Sequence, residues 1–496
     1  MNTGTKSLIL ILCLFACANY SNAQENIYDI IDFGAKPNSE TLSTKPIQAA
    51  IDTAHKNGGG MVVIPNGIFV SGTLILKNNV ELYLARGAQL IASTKHKDYP
   101  RQAQPAYRSH YDDGGWYSLI YAEGANNIAI SGNGIIDGQG ALQKGLPNSP
   151  DGARDGRPRN ILFISCKNIN VSGITLRNSG IWNQHYLNCE DLTIDNIKVY
   201  NHSNRNNDGI DIDGCRRVIL TNSIFDSSDD AICLKSTGPA ACENIVISNC
   251  VVSSFCNGIK MGTESTGGFR NINISNCIIK PSIHPEKPDA SRNPSAIGIT
   301  GLSLEIVDGG IMEGISVSNL TIEGTKCPVY VRLGGRNRKH RIDAPEPTVG
   351  SMSNISIDNI TAYGSGNFAC SVTGIPGHKI ENIKLSNFNI VQQGGLKQGD
   401  YLAALEDVEE KVKGYPQPTN WGNLPVSGLF IRHVDGITVN NFSIDAHEYD
   451  PRPIFMAHDV KGLSIKDVLV GKNCNSNKLI MMKEVQEHTL DFKSEY

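Results

Sequence analysis

The sequence has few aromatic residues and no excess of charge of either sign. Aromatic side chains make up 6% of its 496 residues, and only three of them are tryptophan. The 45 lysines and arginines nearly balance the 49 aspartates and glutamates, which gives a formal net charge of −4. A chain with this balance has no whole-molecule attraction to nucleic acid or to an anionic membrane surface. We therefore expect neither as a partner.

Long apolar runs are also scarce, and the one that exists lies at the N-terminus. Lys6 precedes an apolar stretch that ends at Ala18, and small residues follow as far as Ala23. This order is typical of a secretory signal peptide, and the stretch is too short to span a bilayer. We therefore predict a signal peptide over residues 1–23 and a secreted or periplasmic protein with no membrane span. A lipid anchor on Cys17 is the less favoured alternative.

Helix patterns are few, whereas turn signals recur throughout the chain. There are 49 glycines, and Asn-Gly, Asp-Gly and Gly-Gly steps are spread along the sequence. Such a chain is typical of an all-β protein rather than a helical or doubly wound one. Two segments favour a helix. One runs from Lys45 to His55 with Ser43 or Thr44 as its cap, and the other runs from Tyr401 to Val412.

A short strand pattern repeats along the chain. Its central copies begin 23, 26, 27 and 27 residues apart, and the wider gaps elsewhere fit one repeat plus a loop, or two repeats. A strand every ~25 residues with no helix between predicts a parallel β-helix, in which each repeat is one coil about 4.8 Å from the next. The copies begin at Ile169, Leu192, Val218, Ile245, Ile272, Ile315, Ile355, Ile383, Ile437 and Leu463.

The cysteines share the phase of this repeat. Eleven of them follow the predicted signal peptide, and disulfides are common in exported proteins. The shared phase instead favours small buried side chains that stack from coil to coil, and no Cys-x-x-Cys spacing suggests a metal site. Cys166, Cys189, Cys215 and Cys242 each stand three residues before a strand opens, and Cys250 and Cys277 form a second matching pair.

We expect one domain, residues 24–496, with an N-terminal helix and long loops inserted between its strands. The helix would cover an open end of the solenoid, which otherwise exposes unpaired strand edges. Insertions in solenoids tend to cluster on one face, where ligands bind. The predicted insertions are residues 97–117, 139–158, 281–295, 333–350 and 401–425.

Acidic residues concentrate between residues 206 and 264. Three segments there share one strand-entry pattern at steps of 22 and 27 residues, about one coil each. On a β-helix this spacing places Asp208, Asp230 and Asn257 in one column and Asp229 in the column beside it. Carboxylates so close raise one another's pKa, and paired carboxyls are what glycoside hydrolysis requires. The pattern therefore favours catalysis.

Two other interpretations of these residues stay open. Asp-Gly and Ser-Asp steps favour turns, so a purely structural role is the first. A calcium site is the second, since Asp208, Asp211 and Asp213 precede Gly214. The spacing does not match the Asp-x-Asp-x-Asp loop, and no Glu follows at its twelfth position.

The residues of this acidic centre resemble those of glycoside hydrolase family 28, the polygalacturonases and related pectin-degrading enzymes. Asn206-Asn207-Asp208 matches the family's Asn-Thr-Asp, and Asp229-Asp230 matches its Asp-Asp. The resemblance spans most of the chain after residue 23. It includes Ile31-Asp32-Phe33-Gly34-Ala35, Ile135-Ile136-Asp137-Gly138-Gln139-Gly140, and Ile174-Thr175-Leu176-Arg177-Asn178-Ser179 with Trp182 and His185.

The resemblance implies a right-handed, single-stranded parallel β-helix and an inverting hydrolase that needs no cofactor or metal. In the family the first Asp of the pair is the general acid, and the other two carboxylates position the water. Carried over, Asp229 is the expected acid, and Asp208 and Asp230 are expected to handle the water. Asn206 and His185 are expected near the substrate, although His185 could equally pack beside Trp182.

Two positions depart from the family pattern, and both remove a cationic side chain. Cys256-Asn257-Gly258 stands at the family's Gly-His-Gly, where Asn257 can still bond a sugar hydroxyl. Gly298-Ile299-Thr300 falls by column alignment on the family's Arg-Ile-Lys, which grips the substrate carboxylate. A uronate carboxylate is best held by Arg or Lys, so a site for galacturonate needs another source of positive charge.

Three cationic residues are candidates for that role. We expect Arg332 in the column of Thr300, Lys260 in the column of Gly298, and Lys235 in the column of Arg332. Lys235 would also lie close enough to the acidic centre to lower a carboxyl pKa.

The sequence therefore predicts an exported, monomeric α-glycosidase that hydrolyses pectin or rhamnogalacturonan oligosaccharides. Insertions that close a groove favour exo action or short substrates. Within the same family, a rhamnogalacturonan- or rhamnose-directed hydrolase is the alternative. A polysaccharide lyase would share the fold but needs Ca²⁺ or a strong base. A glycan-binding β-helix without activity is the remaining possibility.

Overall fold

The computed structural model describes most of the chain after the predicted signal peptide. The described residues are 26–102, 117–143, 156–284, 297–474, 476 and 478–492, so the signal-peptide prediction and Cys17 lie outside them. Within these ranges, the model contains no helix with the length and apolarity needed to cross a lipid bilayer.

The chain forms a parallel β-helix whose coils present three strand stacks, here named sheets 1, 2 and 3. All pairings between its strands are parallel, and each strand pairs with its counterpart about one coil later. The expected all-β solenoid is therefore confirmed. Later strands lengthen and run through a corner without a break, so they belong to more than one sheet.

The strands have the following bounds. Sheet 1 contains Leu74–Ile75, Ser118–Glu123, Arg159–Ile164, Gln184–Leu187, Ile210–Asp213, Ile232–Ser236, Asn257–Ser265, Gly298–Ile306, Thr325–Leu333 and Cys370–Thr373. Sheet 2 contains Ile27–Asp29, Gly60–Ile64, Val80–Leu84, Asn126–Gly132, Lys167–Ser172, Glu190–Asp195, Arg216–Thr221 and Cys242–Ser248. Sheet 3 contains Gly67–Ser71, Ala88–Ala92, Ile135–Asp137, Thr175–Arg177, Lys198–Asn201, Ile224–Ser227 and Val251–Ser254. The longer strands are Gly268–Lys280, Ile311–Glu323, Ser351–Ser365, Ile380–Gln392, Leu429–Ala446, Phe455–Val470 and Ile480–Asp491.

The ten aliphatic residues that open the sequence repeat lie in one continuous column of sheet 2. Each pairs with the next, from Ile169 with Leu192 to Ile437 with Leu463. Each wider gap therefore holds one coil and an insertion, not two coils. Alternate side chains of the strands point inward and form one long apolar core.

Asparagines form a second column at the corner between sheets 2 and 3. Asn222, Asn249, Asn276, Asn319 and Asn359 all have φ between 54° and 56°, a region that Asn tolerates better than most residues. From Asn249 onward, each side-chain amide donates to the side-chain carbonyl of the previous Asn at 2.7 to 3.5 Å. The corner therefore needs Asn for its backbone and uses the side chain to join successive coils.

The cysteines stack inside the coil as predicted. All eleven described cysteines are buried, and none of them is in a disulfide. The backbone N–H of Cys189 donates to the Sγ of Cys215, and the Sγ of Cys215 donates to the carbonyl of Tyr186. These thiols fill the column next to the strand openings and form no disulfide among the described residues.

The N-terminal helix is confirmed, with bounds Thr44–Lys56, and it buries one apolar face against the first coils. The predicted side-chain cap is wrong. Ser43 makes no side-chain bond to the helix, and the Thr44 hydroxyl instead accepts from the N–H of Gly72 at 2.7 Å. Hydrogen bonding to the neighbouring coil has replaced a local cap.

The helix predicted from Tyr401 to Val412 is also wrong. That segment contains a single 3₁₀ turn, Leu405–Asp407. Its apolar side chains pack on sheet 1 instead of forming a helical stripe, and Leu405 and Val408 join Phe430 and Met456 in a second apolar cluster. The other 3₁₀ turns are His96–Asp98, Gly140–Gln143, Pro418–Asn420 and Lys472–Cys474.

The insertions border sheet 1 on both edges. Four of the five connect sheet 3 to sheet 1, and residues 333–350 connect sheet 1 to sheet 2. Residues 103–116, 144–155 and 285–296, within three of the insertions, lie outside the described residues. We call the outer face of sheet 1 the floor, and the space above it, between the described parts of these insertions, the groove.

Candidate active site

The strand register brings the predicted carboxyls together on sheet 1. Ile210 pairs with Ile232 and Ile232 with Ile259, so Asp208, Asp230 and Asn257 stand in one column. Backbone hydrogen bonds continue this column below the strands, since the N–H of Gly209 donates to the carbonyl of Asp230 at 2.9 Å. The predicted grouping is correct.

The three carboxyls differ in exposure. Asp208 is 3% exposed and Asp230 is 4% exposed, whereas Asp229 is only partly buried. Asp229 begins the connection into the strand Ile232–Ser236, where its carboxyl can reach the groove. Of the three, Asp229 is therefore the group best placed to meet a ligand, with the other two beneath it.

Asn207, which the sequence analysis did not single out, fixes the segment that carries Asp208. Its amide donates to the carbonyls of Ser179 at 3.0 Å and Ile181 at 2.9 Å, and its Oδ1 accepts from the N–H of Asn204. Its place between Asn206 and Asp208 in the acidic motif could have indicated this role. Asn206 is half-buried with φ 52°, directly before this anchored residue.

Asp230 is held through both of its oxygens. The amide of Asn257 donates to Oδ1 at 2.6 Å, and the ammonium of Lys260 donates to Oδ2 at 3.1 Å. The Thr300 hydroxyl in turn donates to the Asn257 carbonyl oxygen at 2.6 Å, which fixes the orientation of the amide. Burial alone would raise the pKa of Asp230, but Lys260, Lys235 and Asn257 outweigh it and lower that pKa below its ordinary value.

Asp208 has the opposite electrostatic environment. Burial and the neighbouring carboxyls of Asp211, Asp229 and Asp230 raise the pKa of Asp208 well above its ordinary value. The opposing cation, Lys235, lies 4.0 Å away, and the Oδ1 of Asp208 has no hydrogen-bond partner in the protein. Asp208 therefore keeps its proton to a higher pH than Asp230 does.

Lys235 is the centre of a second charge cluster on the same floor. Its ammonium lies 3.5 Å from Asp211 and 3.6 Å from Glu264. Glu264 also contacts Arg338 at 2.8 Å, and although burial opposes it, this set of cations lowers the pKa of Glu264. Arg336 and Arg338 further pair with Asp308. The basic run after residue 335 is therefore tied to carboxylates of the floor.

Trp182 forms an aromatic wall beside Lys235. The Lys235 ammonium lies 4.6 Å from the ring centre, and the Arg159 guanidinium lies 4.7 Å from it. Trp182 is only partly buried, so the indole adds an apolar surface next to the acidic column.

His185 does not face the groove. Its ring packs edge-on against Trp182 at 5.2 Å, and its Nε2 lies 3.1 Å from Asp213. The side chain is 0% exposed, so it supports Trp182 and Asp213 from below. The predicted substrate contact of His185 is corrected to a packing role.

The family model for glycosyl hydrolases family 28 matches residues 102–411, more than half of the chain. The chain belongs to this family. The resemblance seen in the acidic motifs is therefore confirmed.

Curated relatives of this family member match it in part. A probable polygalacturonase of Vitis vinifera is 31% identical over 215 residues, which cover 42% of this chain and 44% of the relative. An exo-poly-α-D-galacturonosidase of Dickeya chrysanthemi is 28% identical over 259 residues, covering 43% of this chain and 42% of the relative. The chain thus spans less than half the length of these two relatives.

Solved structures share its fold. An exopolygalacturonase from Thermotoga maritima superposes with a TM-score of 0.61 and 22% identity, covering 74% of this chain and 87% of that one. A family 28 exopolygalacturonase from Yersinia enterocolitica gives 0.60 and 19%, covering 95% and 79%. At this identity the likeness shows the architecture, a right-handed parallel β-helix.

The sequence predicted a column for each of three cationic residues of this family 28 chain, and two of these predictions are wrong. Thr300 pairs with Cys327, not with Arg332, which pairs with Glu305. Lys260 pairs with Ser303 rather than Gly298. The strand Gly298–Ile306 begins after the insertion at residues 281–295. Residue counting alone could therefore not predict which of its residues pair with those of the preceding strand. For the third expectation, Leu234, Met261, Leu304 and Val331 pair in succession. The register shifts between Leu234 and Ser236, so the strand pairing does not place Lys235 in the column of Arg332.

Arg332 does not join the acidic cluster. It is 3% exposed, and it donates to the backbone carbonyls of Gly374 at 3.0 Å and Glu410 at 2.7 Å. Glu410 belongs to the insertion at residues 393–428, here called the late insertion, and the guanidinium of Arg332 therefore anchors it. The predicted substrate contact of Arg332 is corrected to this anchoring role. Lys235 and Lys260 do lie in the cluster.

Glu305 and Tyr415 complete the floor, and the sequence analysis did not predict them. Burial raises the pKa of Glu305 to about 6, although Lys260 and a 2.6 Å bond from Ser303 oppose the rise. The hydroxyl of Tyr415 lies 3.2 Å from the Lys260 ammonium. Tyr415 belongs to the late insertion, so that loop reaches the acidic centre, a contact that no sequence spacing indicates.

The carboxyls of this site are not arranged as metal ligands. One ligand atom from each of Asp229, Asp230 and Cys256 lies within 4.8 Å of the others. Both oxygens of Asp230 already accept from Asn257 and Lys260, however, and an ammonium competes with any cation there. The suggested calcium loop meets the same obstacle, because the Lys235 ammonium lies between Asp208 and Asp211 at 4.0 and 3.5 Å.

Proposed function

We propose that the protein hydrolyses α-glycosidic bonds in pectin-type polysaccharide by a polygalacturonase-like, inverting reaction. The observation that carries this proposal is the placement of Asp208, Asp229 and Asp230 in two adjacent coils, where Asp208 and Asp230 have opposite electrostatic environments. A glycosidase needs one carboxylic acid and one carboxylate on either side of the scissile bond. Membership of family 28 and relatives named as polygalacturonases support the substrate class.

Asp229 acts as the general acid in this scheme. Its partly exposed carboxyl gives a proton to the glycosidic oxygen as the bond to the leaving sugar breaks. A water molecule attacks the anomeric carbon from the opposite face of the ring and forms the new C–O bond. One displacement inverts the configuration at that carbon.

Asp230 receives the proton of this water, with Asp208 beside it. Asn257 and Lys260 hold Asp230 in the ionised form, so it can accept a proton at the pH where Asp208 is still protonated. A protonated Asp208 donates a hydrogen bond rather than accepting one, which helps to orient the water. The two members of the predicted water pair thus have different tasks.

The late insertion supports exo action or action on short oligosaccharides. Residues 393–428 leave sheet 3, pack on sheet 1 through the cluster around Val408 and Phe430, and extend to Lys260 through Tyr415. A loop in this position closes the groove on the C-terminal side of the acidic column. Several relatives carry exo in their names.

A neutral sugar at the cleavage site, as in a rhamnogalacturonan- or rhamnose-directed hydrolase, is the second candidate. Lys235 neutralises Glu264 and Lys260 neutralises Asp230, while Arg336 and Arg338 do the same with Asp308. Within the described part of the floor, these cations are engaged before any uronate arrives. That pairing favours a substrate without a carboxylate at this position.

The same proposal includes export. Residues 1–23 have the order of a signal peptide, and residues 24–496 would form the mature, single-domain, monomeric enzyme.

The test is an assay on separate pools of oligogalacturonides and rhamnogalacturonan oligosaccharides, following reducing ends and ultraviolet absorbance together. We expect new reducing ends without absorbance, and Asp229→Asn should reduce the rate about 10²–10⁴-fold. Asp195→Asn is the matched control, because Asp195 lies on sheet 2 and bonds only Asn222 in the structure.

Each other result has a definite meaning. Absorbance at the wavelength of an unsaturated uronide would identify a lyase and overturn the acid–base scheme. Binding of the oligosaccharides with no turnover, unchanged by Asp229→Asn, would identify a glycan-binding β-helix. Release of rhamnose or cleavage of only the rhamnogalacturonan pool would select the second candidate.

A further inference from the structure

We propose that Lys260 is a positioning residue that holds Asp230 as the carboxylate for the attacking water, with Asn257 fixing its other oxygen. This inference rests on the proposed hydrolysis and assigns to Lys260 a role different from binding the substrate. The chain departs from its family at this place, because the family's His is replaced by Asn257 and a lysine follows three residues later.

The contacts of Lys260 are directed at Asp230 from within the floor. Lys260 lies in the strand Asn257–Ser265, one coil after Cys233, and is 3% exposed. Its ammonium donates to the Oδ2 of Asp230 at 3.1 Å, and Tyr415 covers it with a hydroxyl at 3.2 Å. The strand and the loop together leave this side chain little freedom to turn towards a sugar.

Asn257 accounts for the second oxygen but cannot supply charge. Its amide donates to the Oδ1 of Asp230, and the Thr300 hydroxyl fixes that amide from the next coil. An amide has no charged form, whereas a histidine in its place can carry a proton. Because Asp230 is buried, its ionised form needs a neighbouring cation, and Lys260 provides one at hydrogen-bond distance.

The other charged groups around Asp230 do not replace Lys260. Lys235 is nearer to Asp211 and Glu264, with which it pairs at 3.5 and 3.6 Å. The remaining neighbours are acidic or neutral, so they favour a proton on Asp230 or leave it unchanged. The titratable groups that influence or adjoin Asp230 are Asp208 and Asp211 from the preceding coil, Asp229, Cys233 and Lys235 from its own, Cys256, Lys260 and Glu305 from the following two, and Tyr415 from the late insertion.

Removing the charge at position 260 should therefore change the pH at which activity is lost on the acid side. The acidic limb of kcat/KM reports the pKa of the essential base in the free enzyme. In Lys260→Gln, which keeps a donor of similar length but no charge, we expect that limb to move up by at least about one pH unit, a loss of about tenfold on the acid side. KM for the cleaved pool should change little.

Two further variants complete the experiment on the full chain. Lys260→Arg keeps the charge and should return the limb most of the way to its wild-type position. Arg336→Met is the matched control, because it removes another largely buried cation of the floor that pairs with Asp308 rather than Asp230. Its acidic limb should coincide with that of the wild type.

The outcomes separate this inference from the proposed function. An unchanged limb in Lys260→Gln, with KM raised only for oligogalacturonides, would overturn the positioning role and make Lys260 a uronate ligand. Full activity of Asp229→Asn would instead overturn the hydrolysis scheme itself. If Lys260→Gln does not fold, Asn257→Ser removes the other donor to Asp230. A smaller upward shift of the same limb is then expected, and no shift would refute the proposal.

Discussion

Asp211 is a buried carboxyl that the catalytic scheme does not use, although it lies inside the charge cluster of the floor. Its side chain is 0% exposed, and neither oxygen has a hydrogen-bond partner among the described residues. Lys235 lies 3.5 Å away. Burial raises the pKa of Asp211 to about 8, even though Lys235 and Arg159 act in the other direction. Asp211 is therefore neutral in the folded protein over a wide range of pH.

This raised pKa makes the protein less stable as the pH increases. An unfolded Asp loses its proton near pH 4, whereas folded Asp211 keeps it to about pH 8, so the folded state binds more protons across that window. Stability from this group is full below pH 4 and is lost by about pH 8. We expect Asp211→Asn to remove about 4 kcal/mol of the fall in unfolding free energy between pH 5 and pH 8.5.

Denaturant titrations at the two pH values measure this effect. Asp195→Asn, an aspartate on sheet 2 that bonds Asn222, should keep the wild-type difference between the two pH values. The same fall in stability in Asp211→Asn as in the wild type would show that Asp211 titrates normally in the folded state.

At this scale the sequence predicted the carboxyls better than the cations. Asp208, Asp230 and Asn257 follow one another at coil spacing with no insertion between them, so counting residues was enough. The columns of Lys260 and Arg332 were predicted relative to Gly298 and Thr300, which follow the insertion at 281–295. The coil that contains this insertion is 43 residues long, whereas the coil before it is 27 residues long. The hydrogen bonds that fix Asp230 depend on side-chain directions that spacing does not contain.

At the scale of elements, the late insertion is fastened to the solenoid by a charged clasp around Glu410. The Glu410 carboxylate contacts Arg432, and both of its oxygens lie 3.1 Å from the Nε2 of His433. The Nδ1 of His433 lies 2.7 Å from Asp459 in the next coil. Arg332 also donates to the backbone carbonyl of Glu410. The loop is thereby held on sheet 1 in front of the groove.

Removal of this carboxylate should release the loop while the solenoid stays folded. We expect Glu410→Ala to make residues 399–425 at least about tenfold more sensitive to limited proteolysis, because Arg432 and His433 lose the partner that joins them to the loop. Mass spectrometry of the early fragments locates the cuts.

Glu409→Ala is the matched control for this variant. The side chain of Glu409 is 74% exposed and pairs only with Lys411 on the surface, so its loss should leave the protease sensitivity unchanged. Equal sensitivity of the two variants would show that the apolar cluster, and not the clasp, holds the loop.

The corners of the coil were more predictable than this loop. In the sequence, Asn or Gly often follows the strand pattern, and the corner between sheets 2 and 3 requires the positive φ that these residues tolerate. The segment from Tyr401 to Val412 gave a misleading signal, because Leu402, Leu405 and Val408 have helical spacing. Their burial against Phe430 and Met456 outweighed the local propensity.

At the scale of the whole molecule, we propose an exported enzyme, yet its described cysteines are all in the thiol form. The eleven cysteines of the described chain are buried, and none of them is in a disulfide. Burial raises the pKa of the Cys233 and Cys242 thiols well above its ordinary value, which keeps the reactive thiolate scarce. Resistance to oxidation thus comes from the core and not from pairing.

A thiol titration follows from this arrangement. In the native protein we expect no rapid reaction with a thiol reagent, and eleven thiols per chain should react once denaturant has unfolded residues 24–496. Reducing agent should leave the Tm unchanged, since no disulfide supports the fold. A fast-reacting native thiol, or a Tm that falls on reduction, would contradict the stacked arrangement.

The coil-by-coil pairing also governs how the chain reaches and leaves its native state. Nearly every strand contact joins residues one coil apart. The loops that must close during folding are therefore only tens of residues long, although the chain has 496 residues. Folding can then start in any few neighbouring coils and spread in both directions, and fraying begins at the two ends. The acidic column lies in the middle, with coils stacked on both sides. The catalytic floor is therefore expected to be the last part of the molecule to melt and one of the slowest to exchange its amide hydrogens with solvent.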